Sequence, residues 1–224
     1  MLTVVSGIVD AISYLGLDHV FAANMTGNVV IIGFAAAGAP GFSVAGSLTS
    51  LGAFLVGAVC AGRLAAAFAG RSRETWIRSV FAIEAVMLGV ASAIAFARPG
   101  HAMYALIAVI AWAMGLRNAT VRKLGVPEMT TTVLTMTLTG LAADSSLAGG
   151  TNPRAVLRVV SVAAMLAGAG VGALLVLHHG LGWPLLVSAL LVTATGVAYR
   201  EKGEMASGGG KKNANGGGGG PRSA

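Results

Sequence analysis

The chain has 224 residues, of which 55% are hydrophobic and only 10% are charged, and it carries a net charge of +7. Soluble domains hold about 25% charged residues, whereas mean hydropathy here is +0.79. These figures exclude a cytosolic enzyme, a disulfide-rich secreted domain and a disordered chain, and leave a helical membrane protein at roughly 20 residues per crossing.

Six apolar stretches are candidate crossings, at about 2–17, 46–69, 76–97, 102–120, 155–177 and 181–199. The first begins almost at Met1 without a positive leader, so it does not read as a cleaved signal peptide, and preceding residues are expected to be missing. Two further segments, 20–38 and 128–147, are apolar but speckled with hydroxyls and amides. Alternation with period two is absent, so strands are not expected. Residues 200–224 are Gly-rich and polar, with a five-glycine run at 216–220, and read as a disordered cytoplasmic tail.

The sequence repeats itself. Gly7-Ile8-Val9-Asp10-Ala11 matches Gly115-Leu116-Arg117-Asn118-Ala119 at an offset of 108. Thr26 falls opposite Thr135 at 109, and Trp76 and Gly89 recur as Trp183 and Gly196 at 107. Two membrane repeats, 1–98 and 99–199, follow, each with the plan helix, polar segment, helix, helix.

Lys and Arg concentrate at cytoplasmic ends of spans. With six spans, fourteen of the fifteen cations fall on one side and Arg98 alone on the other. With eight spans the split is seven to eight, which is no bias. Six spans with a cytoplasmic C-terminus are therefore expected, and the two polar segments become re-entrant or broken. Because no Lys or Arg precedes residue 63, a seven-span chain is the alternative. Three crossings per half make the repeats inverted, a recurring transporter plan. The all-α fold expected is thus a polytopic bundle of six transmembrane helices, two re-entrant segments and two inverted repeats.

Charges inside apolar runs mark candidate sites, because a carboxylate at mid-membrane costs about 2.5–3.5 kcal/mol on insertion scales. Asp10 is the sharpest, sharing a helical face with Gly7, Ala11 and Tyr14. It reads equally as a protonatable or cation-coordinating site and as a structural carboxylate that locks the repeats. Glu84 is a second, unrepeated carboxylate, either a proton relay or the partner of an arginine such as Arg117. Asn24, Thr26 and Asn28, with Thr132 and Thr135, offer neutral oxygens for a solute, or for capping and interhelical bonds. Thr26 or Asn28 is expected to cap the helix that follows. Asn118 and Arg117 complete the set. Gly168 and Gly172, and the series Ala53, Gly57, Ala61, are close-packing stripes. Cys60 lies in an apolar run and reads as inert. No metal, haem or iron–sulfur spacing is present, and no cofactor is expected.

The stretch Ser6-Gly7-Ile8-Val9-Asp10-Ala11-Ile12-Ser13-Tyr14, with Val20-Phe21-Ala22-Ala23-Asn24-Met25-Thr26-Gly27-Asn28, resembles the YoaK-like family of bacterial inner-membrane proteins of unknown function. Met114-Gly115-Leu116-Arg117-Asn118-Ala119 and Thr131-Thr132-Val133-Leu134-Thr135 extend the likeness across 1–199, with Met136 where the family usually has Gly. The resemblance implies a compact multispanning protein and brings no substrate or catalytic residues. The expected function is secondary transport or permeation of a small solute, proton-linked through Asp10. A non-transporting scaffold or sensor is the rival. An enzyme is not expected, for no nucleophile–base pair or metal set is visible. The expected partners are the lipid bilayer and a small solute, not nucleic acid, with a homo-oligomer left open. The expected location is the inner membrane.

Overall fold

The computed structural model describes residues 1–98, 101–125, 131–152 and 154–199, with the backbone alone at 131–133. The Gly-rich segment 200–224 lies outside the described residues. Among the described residues eight α-helices follow in order: α1 (Leu2–Gly16), α2 (Met25–Ala36), α3 (Val44–Ala67), α4 (Arg73–Ala97), α5 (Met103–Leu124), α6 (Thr131–Ala143), α7 (Ala155–His179) and α8 (Gly182–Ala198). Among the described residues there is no strand. Every apolar stretch and both polar segments of the sequence correspond to a helix.

Among the described residues four helices, α3, α4, α5 and α7, are long and apolar enough to cross a membrane. The shorter α1 and α8 have 15 and 17 residues, and α2 and α6 have 12 and 13. At 1.5 Å per residue, α2 and α6 reach roughly 20 Å, well short of a 30 Å hydrocarbon core. The molecule is apolar on the outside. On α7 only Gly168 and Gly172 are buried, while Leu157, Leu166, Leu174 and Leu177 face outward. Water would not tolerate such a surface; lipid does.

The core is built from α1, α4, α5 and α8, through Val5, Ile8, Ile12, Ile77, Leu88, Ile107, Ile110, Met114 and Leu185. The principal packing pairs are α3 with α5, α1 with α7 and α4 with α8. Next come α4 with α5, α1 with α8, α2 with α3 and α6 with α7.

Helix ends fix the directions. Ser92 Oγ donates to the Gly182 carbonyl at 2.9 Å, and Arg78 donates to the Tyr199 carbonyl at 3.1 and 3.3 Å, so α4 and α8 are antiparallel. Gly16 packs under Leu181 while Thr195 reaches Met1 Sδ at 4.0 Å, so α1 also opposes α8. Arg73 Nη2 donates to the Leu124 carbonyl at 3.2 Å, which sets α5 against α4.

The two closest crossings use glycine alike. A Cβ on Gly7 would collide with the Met165 carbonyl, and one on Gly168 with the Val4 carbonyl. In the other crossing Gly115 meets the Phe54 carbonyl, and Gly57 meets that of Trp112. Backbone touches backbone at both, as the small-residue stripes predict.

Candidate functional site

Among the described residues, two groups of buried polar side chains and one open crevice bear on function. The first joins α1 to the start of α2. After α1 the chain turns back through Asp18 and His19, both left-handed at φ 63° and 56°. Such backbone costs about 1–3 kcal/mol per residue and needs surrounding structure to hold it. That structure is a set of clasps on the returning strand of chain. Asp10 Oδ1 accepts from the Ala23 N–H at 3.1 Å, and Ser13 Oγ accepts from the Ala22 N–H at 3.1 Å. Asn28 Oδ1 accepts from the Phe21 N–H at 2.8 Å, and its Nδ2 donates to the Phe21 carbonyl at 2.6 Å. Nδ2 also donates to Ser50 Oγ on α3 at 3.1 Å, and Ser50 in turn donates to the Phe21 carbonyl at 2.6 Å. Irregular backbone buried in an apolar shell must satisfy its polar groups internally, and these side chains do so.

The cap of α2 differs from expectation. Asn24 is the N-cap, its Oδ1 accepting from the Gly27 N–H at 3.3 Å, rather than Thr26 or Asn28. Asn28 lies one turn inside the helix, fully buried, because its amide is engaged by Phe21 and Ser50. Tertiary contacts therefore shift the helix start by a few residues from what local capping preference suggests.

The second group is an ion pair deep in the core. Arg117 Nη1 approaches Glu84 Oε1 at 3.1 Å, with the two side chains 3% and 0% exposed. The approach is off the hydrogen-bond axis, so both Glu84 oxygens lack a hydrogen bond among the described residues and the attraction is coulombic. Arg117 Nη2 donates to Ser6 Oγ on α1 at 3.1 Å and lies against Met114 Sδ. Arg117 is also within electrostatic reach of Asp10. One guanidinium on α5 thereby ties α1, α4 and α5 together, and the pairing of Glu84 with Arg117 suggested by the sequence is present.

The third feature is an open crevice of about 1090 Å³ between α1, α2, α6 and α7. Asp10, Asn24 and Thr26 line it from one polar segment and its neighbour, and Thr135 from the other polar segment. The remaining wall is mostly aliphatic, with the rings of Tyr14, Phe21, Phe34 and Phe42 among it. Tyr14 stacks on Phe21 with centroids 5.0 Å apart, and Phe34 leans on Phe42 at 5.7 Å. Thr135 is exposed into the crevice. Asn118 is half-buried on α5 and is not among the lining residues. Thr132 opens α6, with its side chain outside the described residues.

The sequence reading missed Ser6, Ser13, Ser50 and the phenylalanines of the crevice. Ser13 stands three residues after Asp10, so a shared face was readable; Phe34 and Phe42 look like any core residues. Among the described residues no cluster of His, Cys, Asp and Glu is disposed to hold a metal ion.

A helical shell with apolar flanks, buried charges and an open crevice lined by a carboxylate and a few neutral polar groups defines a polytopic α-helical membrane protein. Comparison with known proteins agrees. The family described as protein of unknown function (DUF1275) matches residues 1–198, and the chain belongs to that family. It is 37% identical over 150 residues to the UPF0700 transmembrane protein YoaK of Bacillus subtilis (strain 168). That alignment spans 65% of this chain and 65% of the relative. No solved structure matches.

Proposed function

We propose that the protein is a secondary transporter or permease of a small solute, bound in the crevice between the two polar segments and coupled to protons through Asp10. The carrying observation is that α2 and α6, with the buried Asp10, line one space. The membrane frame proposed for it has six crossings in two inverted halves, 1–98 and 99–199, with the C-terminus in the cytoplasm of an inner-membrane protein.

Several features support that frame. The packing pairs map onto themselves when the halves are exchanged: α1 with α7 becomes α5 with α3, and α1 with α8 becomes α5 with α4. Likewise α2 with α3 becomes α6 with α7, and α4 with α8 is its own image. The glycine crossings follow the same exchange, at offsets of 108 for α1 to α5 and 111 for α3 to α7. Since α1 opposes α8, α8 opposes α4 and α4 opposes α5, α1 and α5 run oppositely. Re-entrant helices meeting between inverted repeats are a known way to form a solute site at mid-membrane.

Reconstitution into liposomes provides the test. Flux of a panel of small solutes, and the proton movement accompanying it, is expected to fall at least tenfold in Asp10→Asn and severalfold in Thr26→Val. Unchanged flux in both variants would remove these residues from the pathway.

A second reading has its own observation. Asp10 and Asn28 both hold backbone, so the polar motif also suits a non-transporting scaffold or sensor. In that case Asp10→Asn lowers thermal stability and no solute raises it.

A further inference from the structure

We infer that the crevice selects a small organic cation, an ammonium group carried on an apolar or aromatic body. This deepens the transport reading and rests on the crevice being the solute site. The first argument is charge balance. Among the described residues the interior holds two carboxylates, Asp10 and Glu84, against one guanidinium, Arg117. Arg117 lies against Glu84 at 3.1 Å and acts on Asp10 only coulombically, so one negative charge stays in excess among these three groups. A buried charge needs a partner, and Asp10 is the one of the two carboxylates that lines the crevice. Its Oδ1 is held by the Ala23 N–H, which fixes the carboxyl group without neutralising it.

The second argument is the wall. Among the described lining residues there is no Lys, Arg or His, and the N-terminal end of α2 is already turned toward the Asp10 carboxylate and capped by Asn24. Tyr14, Phe21, Phe34 and Phe42 supply aromatic rings, a residue type whose negative quadrupole attracts cations. Asn24, Thr26 and Thr135 supply neutral oxygens, able to accept from N–H groups. A carboxylate beside aromatic rings is a recognition chemistry for ammonium rather than for a sugar or a carboxylic acid. The volume, about 1090 Å³, leaves room for a ligand much larger than a bare ion.

The probe is benzyltrimethylammonium, whose charge no proton transfer can remove. Its binding to the full chain in neutral maltoside micelles is measured by calorimetry, beside benzenesulfonate. Saturable binding of the cation alone is expected. Asp10→Asn should weaken it at least tenfold, and Phe34→Leu by about threefold to tenfold. Phe34 is half-exposed, so that variant keeps its fold if Asp10→Asn does not; gel filtration reports on both. Equal affinity for benzenesulfonate, or undiminished binding in a folded Asp10→Asn, would overturn the inference. Displacement of the probe by phosphatidylethanolamine but not by soluble phenethylamine would give the site to a lipid headgroup and overturn the solute assignment. Ammonium binding without flux would leave the site standing while removing transport. Flux of uncharged solutes without ammonium binding would retain transport and sink the cation.

Discussion

Arg117 is the residue on which the interior charges depend. It faces Glu84 directly, donates to Ser6 and lies within electrostatic reach of Asp10. Removing it by Arg117→Met leaves two buried carboxylates with no cation between them. Removing one member of a buried pair costs about 3–5 kcal/mol, and the full amount is expected here. Glu84→Gln should cost less, because Arg117 then keeps Asp10 and Ser6 as partners. Unfolding of purified protein by mixed-micelle titration measures both. A Glu84→Gln variant less stable than Arg117→Met would show that Asp10 offers Arg117 nothing.

At the scale of elements, two helix crossings depend on absent side chains. Gly115→Ala drives a methyl into the Phe54 carbonyl, and Gly57→Ala into the Trp112 carbonyl. Overpacking of this kind costs about 1–3 kcal/mol. Gly89→Ala and Gly62→Ala meet open space and should be neutral or slightly stabilising, since alanine is the better helix former. Thermal melts of the four variants would separate the sets, and equal melting temperatures would deny the backbone contacts their importance. These stripes were readable because small residues every four positions have few other uses in an apolar helix. The helices were readable for a similar reason: apolar length fixes a span with little help from its neighbours. Asp10, Glu84 and Arg117 stood out because a charge in such a run is costly. The start of α2 was not readable to the residue. Asn24, Thr26 and Asn28 can all cap, and the choice is made by Phe21 and Ser50, which arrive from elsewhere in the chain. The crevice was half readable, in its hydroxyls and carboxylate. Its rings were not, since Phe34 and Phe42 meet only after α2 has turned back toward α3.

The whole molecule has one arrangement to defend. If α2 and α6 are re-entrant, the turns before and after each must lie on the same side of the membrane. Single cysteines in a Cys60→Ala background test this with a membrane-impermeant maleimide. Positions His19, Gly41 and Gly180 are expected to label from one side, and Arg71, Lys123 and Gly149 from the other. The end contacts predict this grouping: Gly16 lies under Leu181 and Gly46 under Val20, while Arg73 reaches Leu124 and Arg78 reaches Tyr199. If either polar segment crosses fully, the two turns flanking it separate: His19 from Gly41 for α2, or Lys123 from Gly149 for α6. A split at His19 and Gly41 alone would give the seven-span chain and leave the second half intact. It would also carry α2 through the bilayer rather than into it, and Asp10 would then face a through-going helix instead of the N-terminus of a half-helix. Coupling by Asp10 requires that N-terminus close by, because Asn24 and Thr26 line the crevice from it. Labelling at residues 19 and 41 therefore decides whether the polar end of α2 beside Asp10 belongs to a half-helix or to a full crossing.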